Sequence, residues 1–509
     1  MHKNRVKARR LVTERLDPEY YHPQYLSDED RLEEFGSEYL GKAGRFFVGP
    51  FGSKLPSSLY LDKGIIPLFR ISNIGAMQVD FSGMAYLHPS VHAELKASEV
   101  LPGDLLIVKA SVGEKICKIP ENIPKANITQ HIIALRPNGK FDIDFIAAFL
   151  FSGYGRRQLV RRSLGSIIQY LGVSDTKTVL LPKVDKQAET YIGDKVRLAE
   201  RLRERSQKIE TEVKQFFSIP YWNEEKVGMY RSYRTKSEII HPERLDTAFY
   251  DPAHINLKEV LYRNRAIPLS KLANQVKKTW NKSSHIFYYL EIGEINLSNG
   301  SIAPKILFTK EAPSRAKLLV KPWDVLVSTV RPNRKNIALV PDVDLDFPIV
   351  ASTGFSVLRF KSKAETVFYH CWLRSDAATQ QLMRWNAGGS YPAIDDDIAI
   401  STLVPQYPDE IVEEQGKRWL IKFIGEDLSI CLTTAAKLLV EALIEGKLTE
   451  DELKIAQEAL QKGDREPDKA ILSRLTRKGY DIKDEPPLFP DLDLIYQTID
   501  QLYADEQGE

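Results

Sequence analysis

Arg15-Leu16-Asp17, followed by Tyr21 and Pro23, returns as Arg244-Leu245-Asp246, followed by Tyr250 and Pro252, at a constant offset of 229 residues. Farther out, Gly103-Asp104-Leu105-Leu106-Ile107 aligns with Trp323-Asp324-Val325-Leu326-Val327 at an offset of 220. Gly165-Ser166 matches Gly389-Ser390, and Leu181-Pro182 matches Val404-Pro405, at offsets of 224 and 223. Four matches in one order, with drifts that loop insertions explain, mark two copies of one unit. The period is too long for a solenoid, whose units run to about 20–50 residues. It implies two similar domains, each carrying its own recognition surface.

The bulk properties bound what such a chain does. Its 509 residues leave room for roughly three domains, each able to bury a core. A hydrophobic share of 43% and a charged share of 28% are ordinary for globular proteins. No run of about 18 apolar residues exists, so no membrane span is expected. The basic start, Met1-His2-Lys3-Asn4-Arg5, leads into no apolar stretch and argues against a secretory signal. Cys117, Cys371 and Cys431 are too few and too far apart for a disulfide framework or a thiolate metal site, and the nine histidines lack ligand spacing. A reducing cytoplasm fits. Net charge is only +2, but it is unevenly placed. Lys3, Arg5, Lys7, Arg9 and Arg10 form a basic arm, while the C-terminal end is acidic. One end meeting phosphate and the other a protein is compatible with this asymmetry, as are two solvated tails.

Along the chain, Ile66–Ile71, Asp104–Val108 and Ile132–Leu135 have the length and composition of strands. Phe145–Phe151 reads as a buried helix followed by Arg156, Arg157, Arg161 and Arg162, and Val179–Pro182 as a closing strand. The pattern then becomes helical: Ile192, Val196, Leu202, Ile209, Val213 and Phe216 recur among charged residues. About 30 residues of helix extend about 45 Å, more than one small domain buries. The second copy supplies a partner stripe, running from Ile411 through Trp419, Phe423, Ile424, Leu428, Leu432, Ala435 and Leu439 to Leu443. Mutual pairing of the two stripes is the economical arrangement, with packing of each onto its own domain as the alternative. Thr449-Glu450-Asp451-Glu452 has the form of a capping box and opens a C-terminal segment without counterpart in the first half.

The expected class is α+β, with two similar globular domains, a pair of long antiparallel coiled-coil helices between them, and a small C-terminal helical extension. The expected bounds are 1–184 for the arm and first domain, 185–217 for the first long helix and 218–242 for a linker. The second domain spans 243–407, the second long helix 408–445 and the extension 446–509.

This layout resembles the specificity (S) subunit of type I restriction–modification enzymes, over roughly residues 10–445. The repeated Asp104 and Asp324 strands, the Gly165-Ser166 and Gly389-Ser390 loops, and the Pro182 and Pro405 strands entering long helices carry the resemblance. The family usually opens its long helix with Glu-Gln after that Pro. Here Lys186-Gln187 stands in the first copy and Glu413-Glu414-Gln415 lies late in the second, which puts the helix starts in question. The acidic extension also differs from shorter members and allows a relative in a methylation-based phage defence system. The resemblance implies target recognition domains that bind double-stranded DNA at a bipartite, asymmetric site. It implies a separate methyltransferase (M) subunit carrying S-adenosylmethionine, with a restriction or translocase subunit as a possible further partner. No cofactor or metal is expected on this chain.

Direct readout requires side chains with paired donors and acceptors on loops that enter the major groove. Candidates in the first copy are Arg70, Ser72, Asn73, Lys109, Ser111, Thr129, Gln130, His131, Gln169 and Tyr170. In the second they are Ser328, Arg331, Asn333, Arg334, Lys335, Ser390 and Tyr391. Arg156, Arg157, Arg161 and Arg162 have the spacing of a charged helical face suited to phosphates. Catalytic residues are not recognisable. The Asn/Asp-Pro-Pro-aromatic tetrapeptide of amino-methyltransferases, a Gly-rich cofactor loop and a Walker loop are all missing from the sequence. Asp409 and its neighbouring glutamates resemble a nuclease carboxylate cluster only faintly and fall where a helix should begin. Two alternatives therefore stand beside a non-catalytic DNA-targeting subunit: a stand-alone nuclease with an unfamiliar site, and an assembly scaffold that never reads bases.

Overall fold

A computed structural model describes residues 5–110, 112–113, 115–165, 170–220, 222, 227–229, 232–297, 299–341, 347–387 and 391–508. The candidates Ser111, Gln169 and Ser390 lie outside the described residues, as do Ser166 and Gly389. The chain forms two compact units, one of Met1–Arg203 with Asp427–Glu509 and one of Glu204–Glu426.

In the first unit, the strands Gly44–Val48, Ile132–Pro137, Leu105–Val108 and Ile116–Lys118 form an antiparallel sheet in that order. A second sheet orders Ala85–Leu87, Ile66–Phe69, Ala126–Ile128 and Glu99–Val100, with its two central strands parallel. Side chains alternate across a strand. Leu105, Ile107, Ile133 and Leu135 therefore enter a core shared with the helices, while Leu106, Val108, Ile132 and Ala134 enter the core against the second sheet. A sheet covered on both faces has apolar strands without polar alternation, which is how these runs read in the sequence.

The second unit repeats this plan. One sheet orders Asn274–Gln275, Phe355–Arg359, Val325–Ser328 and Ile337–Leu339. The other orders Lys305–Phe308, Ile286–Leu290, Ile349–Ser352 and Ala316–Val320, again with the central two parallel. Val325, Val327 and Ile337 point into the helix-side core, and Leu326, Ala338 and Val357 into the other.

The repetition extends to individual hydrogen bonds. Asp104 accepts the Leu101 N–H at 2.9 Å and grips the Arg136 guanidinium at 2.6 and 3.0 Å. Asp324 accepts the Lys321 N–H at 2.8 Å and grips Arg359 at 2.6 and 2.7 Å. Each aspartate follows a residue with positive φ, Gly103 or Trp323, which turns the chain into the strand. Gln158 exchanges two hydrogen bonds with the Leu180 backbone, and Gln381 does so with Leu403. Arg15 bonds Asp17 and donates to the carbonyls of Arg161 and Ser163; Arg244 bonds Asp246 and donates to those of Trp385 and Asn386. Two copies of one module, with one internal frame, account for these matches.

The long helices are Lys186–Phe216 and Asp409–Ile444. The second begins at Asp409, so Glu413-Glu414-Gln415 falls after its first turn. In the first unit, Ile192, Val196 and Leu202 share a core with Leu432, Ala435, Leu439 and Leu443, and with Phe145 and Leu181 of the globule. Arg203 bonds Thr433 there. In the second unit, Ile209 and Val213 share a core with Trp419, Ser206 donates to the Lys422 carbonyl at 3.1 Å, and Glu212 pairs with Arg418 at 2.8 Å. Partner numbers fall as helix numbers rise, so the segments run antiparallel. Each stripe packs on the other helix and on the globule beside it. Both arrangements weighed from the sequence occur together, because a helix in a groove has two flanks to bury.

The extension belongs to the first unit. Its helix Glu450–Gln461 starts with the reciprocal Thr449–Glu452 capping box. Asp468, on the helix Glu466–Ser473, is buried and takes hydrogen bonds from Tyr191 and Lys195 of the first long helix and from Tyr496. Leu488 and Phe489, set between Pro487 and Pro490, are buried in the same core.

Candidate nucleic-acid interface

Several first-copy candidates converge where strands of the first unit end. Lys109 follows the strand Leu105–Val108 and donates its N–H to the His131 carbonyl at 2.8 Å. Gln130 and His131 occupy the turn between the strands Ala126–Ile128 and Ile132–Pro137, their side-chain nitrogens 3.2 Å apart. The Leu171 N–H bonds the Lys109 carbonyl at 2.8 Å, which sets Tyr170 beside them. The Lys109 ammonium lies 4.5 Å from the Tyr170 ring centre, and the His131 ring meets that tyrosine edge-on. A cation held on an aromatic face keeps its remaining N–H groups for an outside acceptor. Lys109, Gln130, His131 and Tyr170 thus form one cluster of donors, acceptors and a ring.

The second unit builds the same place from other residues. Where Lys109 bonds His131, Thr329 donates its N–H to the Gly354 carbonyl at 2.9 Å; where Leu171 bonds Lys109, Ile394 bonds Thr329 at 2.9 Å. On this frame the Arg331 guanidinium lies 4.6 Å from the exposed Tyr391 ring. Arg331 and Lys335 bracket a single turn, Pro332–Arg334, and both have φ in the left-handed region. That region costs a non-glycine residue roughly 1 kcal/mol or more. Asn333 and Arg334 are exposed at the tip, and Lys335 is tied to Asp376. A guanidinium presents a fork of donors suited to guanine, whereas an ammonium is a point charge. Equivalent places in the two units carry different chemistry.

Other candidates do structural work. Asn73 is fully buried; its amide donates to the carbonyls of Asp80 and Ser82, and its oxygen accepts the Arg70 N–H. Arg70 is half-buried, with its guanidinium bonding the Gly83 carbonyl, and Ser72 is exposed. Ser328 is buried and closes a local turn with Val330. The expected arginine face is also corrected. Arg161 is buried between Tyr20 and Glu29, and Arg162 is buried against Thr178 and the Gln158 carbonyl, where burial lowers its pKa. Arg384 repeats the Arg161 role, donating to the Phe249 carbonyl as Arg161 donates to Tyr20. Burial disfavours the Arg157 charge, but its bonds to Asp28 outweigh that and raise its pKa. Arg156 is exposed. Helical spacing placed these charges without revealing the acids and carbonyls that neighbouring elements bring to them.

Sequence reasoning passed over Phe51. It is 77% exposed, and the next residue, Gly52, donates its N–H to the Gln130 side chain at 3.3 Å. The run Gly49-Pro50-Phe51-Gly52 was a detectable signal for a ring on a tight loop. Among the described residues there is no group of three or more His, Cys, Asp or Glu arranged to hold a metal ion. Among those residues, too, no helix is long and apolar enough to cross a membrane.

No protein-family model matches the chain, and no curated protein matches it. Among solved structures, the chain is similar to the S subunit of a type I restriction–modification system from M. genitalium. That likeness has 13% identity and a TM-score of 0.41, and covers 81% of this chain and 96% of the other. The chain is also similar to the HsdS subunit from Thermoanaerobacter tengcongensis, with 14% identity, a TM-score of 0.28, and coverage of 81% and 97%. Both are likenesses of fold at low identity; the chemistry of the loops rests on their own residues.

Proposed function

We propose that this chain is the DNA sequence-specificity subunit of a type I-like methyltransferase or restriction complex, and that it performs no catalysis itself. Its two units each read one half of a bipartite, asymmetric double-stranded DNA target. The long helices set the spacing and offer a platform to a separate methyltransferase subunit, which carries S-adenosylmethionine. A restriction or translocase subunit completes the complex where cleavage occurs.

One observation carries this reading: the hydrogen-bond frame is duplicated, while the cation–ring pairs beside it differ, Lys109 with Tyr170 standing on the frame in one unit and Arg331 with Tyr391 in the adjoining loop residues of the other. A duplicated enzyme would be expected to keep its reacting groups in both copies. A pair of readers instead keeps the frame and varies what touches the bases, since a good bidentate side chain discriminates by roughly 1–3 kcal/mol per base pair. Phosphate contacts from residues such as Arg156 add affinity without sequence preference.

The test is methylome sequencing of cells that express this chain with the methyltransferase encoded beside it. The expected product is one modified motif with two unlike halves separated by an unread spacer. A palindromic or uninterrupted motif, or methylation that proceeds without this chain, would overturn the proposal.

A further inference from the structure

The Phe51 ring is held out in water by a loop anchored at both ends. A Cβ on Gly49 would fall 2.3 Å from the Ile128 carbonyl oxygen, so the backbone entering the loop lies directly on the turn that carries Gln130. Pro50 fixes its own φ, and the Lys54 N–H closes the tip on the Phe51 carbonyl at 2.9 Å. Leu55 then returns to the interior, buried among Leu68, Ala85 and Leu87. A ring exposed on such a support gains nothing from folding and loses little freedom on binding.

The fold does not require this exposure. In the second unit the strand Asn274–Gln275 pairs with Phe355–Arg359 as Gly44–Val48 pairs with Ile132–Pro137 in the first. The chain after it turns its aromatic residue inward: Trp280 is buried and packs on Phe287, with 4.4 Å between ring centres. The exposed ring therefore belongs to the first unit's loop and not to its counterpart, as a contact that distinguishes two half-sites must.

The neighbours of the ring identify what it meets. Gln130 accepts the Gly52 N–H, and its amide nitrogen lies 3.2 Å from the His131 ring nitrogen. A primary amide has two N–H donors and two acceptor lone pairs, so these contacts leave Gln130 one of each. That remainder matches adenine N7 and N6 in the major groove, where the same base pair displays the thymine methyl. Lys54, exposed on the loop tip, adds a cation for flanking phosphates. A phenyl ring has no hydrogen-bonding group, so the base-edge feature it recognises in that groove is the methyl. Insertion between base pairs is the habit of minor-groove binders, where a paired donor and acceptor would discriminate little.

Resting on the function proposed above, we infer that Phe51 is a specificity-determining residue that packs on the C5-methyl of a thymine in the half-site read by the first unit. The test titrates the full chain, with its methyltransferase, against duplexes bearing the motif that methylome sequencing gives, at one fixed salt concentration. Each thymine is replaced in turn by deoxyuridine, which lacks only the methyl. For wild type, one thymine in the half-site altered by Lys109→Ala with Tyr170→Ala is sensitive. Its replacement weakens binding about fourfold, as expected for one buried methyl. Phe51→Ala binds the thymine duplex more weakly than wild type does and no longer distinguishes it from the deoxyuridine duplex. Phe51→Leu, still apolar, keeps part of the distinction. Thermal unfolding of both variants stays within error of wild type, because the altered side chain stands in solvent. A first half-site without thymine in either strand, or a wild type indifferent to every deoxyuridine there, would overturn the inference while leaving the specificity role intact. So would a Phe51→Ala variant that still distinguishes the two duplexes, since the ring would then touch something other than the methyl. A wild-type complex that binds the motif no better than a scrambled duplex would overturn the functional reading itself and the methyl contact with it.

Discussion

Replacing Asp104 with Asn should loosen the first unit by about 2–3 kcal/mol, and Asp324→Asn should do the same to the second. Both carboxylates are about 1% exposed, and each ties a turn N–H to a guanidinium fork on a neighbouring strand. At an effective dielectric near 20, two unit charges about 3 Å apart attract by roughly 5 kcal/mol. Removing one partner of a buried pair costs about 3–5 kcal/mol. Arg136 and Arg359 are about one-third exposed, so water screens part of that loss and lowers the figure. Asn also keeps an acceptor for the Leu101 or Lys321 N–H, so the change removes charge more than shape. The assay is hydrogen exchange followed by mass spectrometry. Protection of Leu105–Val108 and Ile132–Pro137 should fall roughly 30- to 150-fold in Asp104→Asn, at 1.4 kcal/mol per factor of ten. Val325–Ser328 and Phe355–Arg359 should respond equally in Asp324→Asn. A loss below about 0.5 kcal/mol in one unit with a full loss in the other would refute the equivalence of the two frames.

Three further outcomes follow from buried groups. Burial alone would raise the Asp468 carboxyl, but Lys195 and the bonds from Lys195, Tyr191 and Tyr496 outweigh it and hold the pKa below its ordinary value. The stabilisation is therefore present above the unfolded pKa of about 3.9 and lost as pH falls below it; Asp468→Ala should make the extension easier to proteolyse, and the difference from wild type should be level from about pH 8 to 5 and shrink below about pH 4. Burial pushes the Glu200 carboxyl up to about 7, against the pull of Lys118. A raised folded pKa stabilises below the unfolded value and loses that contribution as pH rises toward 7, so urea unfolding should show the first unit weaker at pH 8 than at pH 5, with Glu200→Gln flattening the difference. A Cβ on Gly416 would sit 2.2 Å from the Ala364 carbonyl oxygen, backbone that cannot yield cheaply. Gly416→Ala should destabilise the second unit by about 1–3 kcal/mol in calorimetry, whereas the same change at Gly193 meets only the side chains of Asp142 and Arg197 and should cost less.

Much of the architecture was legible because it was written twice. The Arg-Leu-Asp motif and the Asp104 and Asp324 strands revealed the duplication, and their hydrogen bonds explain why those residues recur in both copies. The long helices were readable from apolar stripes at helical spacing. The site was less legible. Lys109, Gln130, His131 and Tyr170 are up to 61 residues apart in sequence and meet only through main-chain bonds between loops. Asn73, Ser328, Arg161 and Arg162 have the polarity of contact residues, and only packing shows them satisfying interior carbonyls and acids. Phe51 escaped notice because a lone aromatic residue ordinarily signals core.

The central claim, that each unit reads its own half of the target, is tested most directly by methylome sequencing of two variants beside wild type. Lys109→Ala with Tyr170→Ala should relax or change one half of the modified motif, and Arg331→Ala with Tyr391→Ala the other, each leaving the opposite half and the spacer unaltered. Motifs that change in both halves together, or in neither, would contradict it.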